Sequence, residues 1–227
     1  MAEIRQKKNI ILVGSDSGLA GSLIDSILSK SDILTTVSRN KHPSYRSHEH
    51  FHVDLSIAEK IVEFTNQIER REYDTLIYLP GIFNPKEIVN VEDKKIIEEV
   101  TVNLTAAIMI SRAIIPNMIK AKCGTLLYLG SSSSYAGFKN TSVYCSTKHG
   151  LLGFTRALSD ELRAFGIKVS CISPGSINTK MSIPLHKQQD PETFIDPLEI
   201  SNLLLNLIYD QNKSMWQEEI ILKRRKY

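Results

Sequence analysis

Tyr144-Cys145-Ser146-Thr147-Lys148 sets a phenol and an ammonium four residues apart at the start of a stretch with helical periodicity. That spacing puts them on one face, one turn apart. A free tyrosine releases its proton near pH ~10, and a neighbouring ammonium favours the phenolate. Lys148 would therefore make Tyr144 a usable acid or base near neutrality. Upstream, Leu129-Gly130-Ser131-Ser132-Ser133-Ser134 carries hydroxyls away from the carboxyl end of an apolar run. One of them can hydrogen-bond a substrate oxygen; the same residues can equally do no more than cap a turn. Asn103 lies within the apolar stretch Thr101-Val102-Asn103-Leu104-Thr105, where burial would oblige it to be hydrogen-bonded.

A second constellation offers a phosphate site. Val13-Gly14-Ser15-Asp16-Ser17-Gly18-Leu19-Ala20 follows the first apolar run. Gly14 at the strand exit permits a tight turn, and Gly18 at the helix entrance lets backbone approach a pyrophosphate at the helix N-terminus. Two glycines are a weak signal alone, and their place at the first strand–helix junction strengthens it. The second strand ends Val37-Ser38-Arg39-Asn40, where an acid would hold a ribose 2′-hydroxyl and an arginine accommodates a 2′-phosphate. Arg39 argues for NADP(H), with NAD(H) as the alternative.

Short apolar runs alternating with amphipathic stretches must position these groups. Strands are predicted over Asn9–Val13, Ile33–Val37, Phe51–Val53, Thr75–Leu79, Thr125–Leu129, Lys168–Ser173 and Glu219–Leu222. Helices are predicted over Leu19–Lys30, Ile57–Arg70, Val91–Ala121 (kinked or broken at Pro116), Ser142–Phe165 and Pro197–Tyr209. The order implies one α/β domain over residues 1–227, a Rossmann-like, doubly wound parallel sheet with helices on both faces. Its ligands would sit beyond the carboxyl ends of the strands.

Composition narrows the partners. A net charge of +3 from 28 basic and 25 acidic residues makes no case for nucleic acid, and the basic run Lys223-Arg224-Arg225-Lys226 reads as a solvated end. No apolar run approaches the roughly 18 residues that span a membrane, and the start has no secretory pattern. Three cysteines, Cys123, Cys145 and Cys171, lack metal-ligand spacing. His48, His50 and His52 alternate without an accompanying carboxylate or thiol set, so no metal is expected. A reduced, cytoplasmic protein is the expectation.

Taken in order, the glycine turn, Asn103, the serine run, Tyr144-x-x-x-Lys148 and Ser173-Pro174-Gly175-Ser176-Ile177-Asn178-Thr179 resemble the short-chain dehydrogenase/reductase family over nearly the whole chain. Among its members the chain resembles β-ketoacyl-acyl-carrier-protein reductases. The resemblance implies a catalytic set of Asn103, Ser131, Tyr144 and Lys148, with Ser132 the adjacent alternative to Ser131. Tyr144 would exchange the proton of a carbonyl or alcohol substrate, Ser131 orient its oxygen, and Asn103 position a relay water. Lys148 would lower the tyrosine pKa and hold the nicotinamide ribose. The cofactor would lie on Gly14, Ser15, Gly18, Leu19, Arg39, Asp54, Gly81, Tyr144, Lys148, Pro174, Gly175, Ile177 and Thr179. A small-molecule carbonyl or alcohol substrate and a homodimer or homotetramer follow by the same resemblance.

Departures from the family pattern are informative. Ala20 replaces a third glycine and Val13 a threonine, and Tyr78-Leu79-Pro80-Gly81 stands where Asn-Asn-Ala-Gly is usual. The last change removes polar side chains that brace the central sheet. It keeps open a second class of function, a dinucleotide-binding regulator without turnover. Within enzymes, a sugar or other polar metabolite is the alternative substrate. The short polar segment Lys180–Phe194, with His186 and Gln188-Gln189, implies an open or polar pocket.

Overall fold

The structure is a computed structural model and describes residues 7–30, 32–40, 48–179, 193–210, 212 and 215–224. Seven parallel strands form one sheet in the order β3-β2-β1-β4-β5-β6-β7. They are β1 (Asn9–Val13), β2 (Ile33–Ser38), β3 (Glu49–His52), β4 (Thr75–Tyr78), β5 (Gly124–Leu129), β6 (Ile167–Pro174) and β7 (Glu219–Leu222). The helices are α1 (Ala20–Ser29), α2 (Ala58–Ile68), α3 (Asp93–Val100), α4 (Ala106–Ala121), α5 (Ser142–Arg163) and α6 (Pro197–Tyr209).

Side chains alternate across a strand, and β1 shows what that does here. Ile11 and Val13 join the core layer under α2, α4 and α5, together with Phe64, Ile110 and Leu151. Ile10 and Leu12 face the other way, into Leu23, Ile24 and Leu204 of α1 and α6. Both faces of the central strands are buried, so these strands read as continuous apolar runs. The strand order reverses between β1 and β4, and the crevice beyond their carboxyl ends is the expected ligand position.

Many element ends differ from the sequence expectation by one or two residues. The edge strand β3 starts at Glu49, two residues before the predicted Phe51, because backbone pairing with β2 extends over polar side chains. The long predicted helix starts at Asp93 and passes through a π-helical turn, Thr101–Thr105, between α3 and α4; α4 runs on through Pro116. The continuous helical stretch Asp93–Ala121 is long and apolar enough to cross a membrane by length and composition, against the expectation of no such run. Half of its most apolar window is buried inside the protein, so packing against the sheet accounts for much of its apolar character.

Candidate active site

At the end of β1 the chain turns sharply. Gly14 has φ +82°, and a Cβ there would lie 3.0 Å from the ring and nitrogen of Pro80. A side chain is excluded on both counts. The N–H groups of Gly14 and Ser15 donate to the Val37 carbonyl at 2.8 and 3.3 Å, tying the turn to β2. Ser15 is buried and its hydroxyl donates to Ser38 at 3.0 Å, so this side chain braces two strand ends. Gly18 is exposed, and a Cβ on it would meet the Thr179 methyl at 3.6 Å. Leu19 is buried at the N-cap of α1 and supplies no side-chain cap.

Thr179 reaches this turn from the segment after β6. Pro174 is buried, and the Gly175 N–H donates to the Leu222 carbonyl at 2.8 Å, fixing the segment to β7. Ile177 pairs with Ile195 in an isolated bridge, reinforced by Asn178 N–H to the Ile195 carbonyl at 2.9 Å. His186 and Gln188-Gln189, with most of Lys180–Phe194, lie outside the described residues, as do Arg225 and Lys226 of the basic run.

The far corner is formed by the ends of β2 and β3. Arg39 is exposed, and its charge acts on Asp54. Burial would raise the Asp54 carboxyl, but hydrogen bonds from the Ser56 N–H and hydroxyl, with the Arg39 charge, hold it below its usual range. Asp16, also exposed, accepts from the Asn40 amide at 3.3 Å beside this corner.

Four elements bring the predicted catalytic residues together. Tyr144 and Lys148 lie on the first turns of α5, with the Lys148 ammonium 5.8 Å from the tyrosine ring centre. Lys148 is 2% exposed and donates to the Leu129 carbonyl at 2.9 Å, at the end of β5. Ser131 follows β5 and N-caps a 3₁₀ turn over Ser132–Ser134, its oxygen accepting from the Ser133 N–H. Its hydroxyl also acts on the Tyr144 phenol, which distinguishes it from Ser132.

Asn103 sits in the π-helical turn. Its amide oxygen accepts from the Ile82 N–H at 2.8 Å, and its NH₂ donates to the Ile82 carbonyl and the Thr147 hydroxyl at 2.9 and 3.1 Å. The asparagine thus ties the segment after β4 to the residue beside Lys148. Gly81 leaves space there: a Cβ would fall 3.6 Å from Lys148 Nζ and 3.9 Å from Asn103 Oδ1. The sheet is braced differently from the family pattern. Fully buried Tyr78 donates its phenol to the Val102 carbonyl at 2.5 Å, inside the π-helical turn. The polar group lost from this position is replaced by one that arrives on a longer arm.

The electrostatics correct one expectation. Burial pushes the Tyr144 phenol up to about 12, with Ser131 pulling it back, so Lys148 does not bring it near neutrality here. Burial likewise brings Lys148 down to about 8, opposed by Cys171 and Glu99. At neutral pH the pair is a protonated phenol beside a mostly charged ammonium.

Three residues escaped the sequence reading. Glu99, in the last turn of α3, is 1% exposed and lies within reach of the Lys148 charge. Phe83 packs edge-on against the Tyr144 ring, with centroids 4.6 Å apart. Asp16 places a carboxylate by the Arg39 corner. Each belongs to a residue type common on surfaces or in cores, and only the fold gives it an address. Among the described residues no group of three or more His, Cys, Asp or Glu is arranged to hold a metal ion. The His50 and His52 rings meet edge to face at 4.5 Å, and Thr36 bonds His50 at 2.9 Å.

Residues 8–190 match the family described as short chain dehydrogenase. A 3-oxoacyl-acyl-carrier-protein reductase of Buchnera aphidicola (Schizaphis graminum) is 32% identical over 58% of this chain and 55% of its own length. Human 17-beta-hydroxysteroid dehydrogenase 13 is 30% identical over 69% of this chain and 52% of its own. The chain therefore spans about half the length of these two curated relatives. Among solved structures, 4-hydroxyisoleucine dehydrogenase complexed with NADH is 25% identical, with a TM-score of 0.83 over 95% of this chain and 97% of that one. A putative NAD(P)-dependent gluconate 5-dehydrogenase from Beutenbergia cavernae, with bound NADP, shares the fold at 20% identity, with a TM-score of 0.86 over 96% of each chain.

Proposed function

We propose that this chain, which belongs to the short-chain dehydrogenase/reductase family, is an NADP(H)-dependent oxidoreductase that interconverts a carbonyl and an alcohol, with Tyr144 as its acid and base. The observation that carries the reading is the meeting of Tyr144, Ser131, Lys148 and Asn103 beyond β4 and β5, beside the glycine turn of β1. A regulator without turnover has no need of all four.

The residues fit a nicotinamide dinucleotide. Backbone is bare of side chains at Gly14, Gly18 and Gly81, where added carbons would meet Pro80, Thr179 and Lys148. The uncapped N-terminus of α1 suits a pyrophosphate, with Ser15 and Leu19 shaping the turn. Arg39 would take the 2′-phosphate and Asp54 the adenine. Lys148 would hold the nicotinamide ribose, while Pro174, Gly175, Ile177 and Thr179 would line the nicotinamide end. Bound there, the cofactor supplies or accepts the hydride.

The chain's own groups handle the proton. In reduction, protonated Tyr144 donates to the carbonyl oxygen as negative charge develops on it, and the Ser131 hydroxyl holds that oxygen in line. The ammonium of Lys148 stabilises the phenolate left behind. Asn103 would fix a water that returns a proton to the site. Alcohol oxidation runs the same path backwards and needs the phenolate first. The structural relatives include one described with NADH and one with NADP, and Arg39 is the reason to favour the phosphorylated form.

The test is oxidation of NADPH and NADH against a panel of ketones, β-ketoacyl thioesters and keto-sugars, with Tyr144→Phe as control. NADPH turnover that the variant abolishes supports the reading. Cofactor binding with no turnover on any compound, and no difference in the variant, would overturn it in favour of the regulator.

A further inference from the structure

Glu99 has no place in the machinery described above, yet it is among the most deeply buried charged residues described. It lies four residues before Asn103, so one helical turn separates them and both side chains leave the same face. The two anchor neighbouring residues of the segment after β4. Asn103 holds Ile82 through its N–H and carbonyl, and Glu99 accepts from the Asn84 amide at 3.4 Å. Phe83, between these anchors, lies against the ring of Tyr144. The carboxyl is thereby fixed to the segment that packs on Tyr144, within reach of the Lys148 charge, and its second oxygen, Oε1, is buried without a hydrogen-bond partner among the described residues.

A buried carboxyl oxygen left unbonded is costly unless something else offsets it. Around Glu99 the titratable groups are Tyr144 and Lys148 on α5 and Glu98 on its own helix; Cys145 acts on Tyr144, and Cys171 on β6 faces Lys148. Lys148 is the one cation among them. Among the described residues its ammonium has a single hydrogen bond, to the Leu129 carbonyl.

We propose that Glu99 is a positioning residue for the reaction: a buried carboxylate, clamped one turn before Asn103, that keeps Lys148 charged beside Tyr144. This rests on the proposed reductase reading. The signs agree with the environment. Burial raises the Glu99 carboxyl and the Lys148 charge opposes that rise, while Glu99 opposes the fall of Lys148 and adds to the rise of Tyr144. Removing the negative charge should lower Lys148 and Tyr144 together. The ammonium would then be lost at lower pH, and the phenolate would form at lower pH.

The experiment reads Lys148 directly. Protein labelled with ¹³Cε-lysine is titrated by NMR without substrate or cofactor, Lys148→Arg assigning the signal, in wild type, Glu99→Gln and Glu99→Asp. The midpoint should start near 8 and fall by roughly half to one pH unit in Glu99→Gln. Glu99→Asp, which keeps the charge, should return most of it. The alkaline limb of carbonyl reduction should move with the NMR midpoint, a change that loss of a merely structural clamp would not produce. An unmoved midpoint in folded Glu99→Gln overturns the proposal. Should that variant not fold, the reciprocal one decides: in Lys148→Met the ¹³Cδ midpoint of Glu99 must rise, and if it stays the proposal fails. A shifted midpoint in a protein that reduces nothing would retain the coupling and remove the reductase reading.

Discussion

In the proposed reaction a single proton at Tyr144 governs the chemistry. With its phenol pushed up to about 12, the residue stays protonated across the physiological range. Tyr144→Phe should cost about 10²–10⁴-fold in kcat and leave cofactor affinity, followed by fluorescence titration, nearly unchanged. Lys148 gives the pH dependence its sign. Its folded pKa lies below the free value, so the ammonium is present below about 8 and lost as pH rises through that point. Carbonyl reduction should therefore hold steady through neutrality and fall above about pH 8, while alcohol oxidation keeps rising with alkali. A pH profile in each direction checks this. At the adenosine corner, Arg39→Ala should weaken NADPH by about 10–100-fold and NADH little, as expected for one charge-assisted bond. Asp16→Asn should strengthen NADPH by removing a like charge.

At the scale of elements, the π-helical turn joins the core to the site. Tyr78 donates into it from β4, and Asn103 reaches out of it to Ile82 and Thr147. Tyr78→Phe removes the phenol's bond to the Val102 carbonyl and should cost about 1 kcal/mol in urea unfolding. It should also lower kcat, because the turn that sets Asn103 loses its brace. Much of this scale was legible in the chain. Ile10-Ile11-Leu12 and Leu126-Leu127-Tyr128 announce strands because both faces are covered, whereas Glu49 and His50 of β3 do not, since backbone pairing at a sheet edge does not require apolar side chains. The glycine turn, Asn103, Ser131, Tyr144 and Lys148 could be picked out through the resemblance to the family, whose motifs occur here in the same order. Glu99 could not: Glu98-Glu99 looks like a solvated pair, and only the packing of α3 against α5 tells which of the two is buried. A kink or break was expected at Pro116, whereas α4 runs through Pro116 and the irregularity is the π-helical turn at Thr101–Thr105.

For the molecule as a whole, cofactor and fold are linked by mass action. NADPH at about 100 times its Kd should stabilise the native state by about 2.7 kcal/mol. A thermal shift larger for NADPH than for NADH at equal concentration would report the preference without any substrate. The apolar side chains left outside the sheet layers include Ile97 on α3 and Ile108 on α4, 65% and 38% exposed. Light scattering should find a dimer or tetramer, and charged substitutions at these two positions should shift it towards the monomer.

The bridge between Ile177 and Ile195 has a meaning for descent as well as for mechanics. Asn178 N–H to the Ile195 carbonyl and Ile195 N–H to the Ser176 carbonyl secure the point where the segment after β6 meets the lead-in to α6. A relative that kept these contacts could change in sequence between them while Tyr144, Lys148 and the sheet beneath them stay in register.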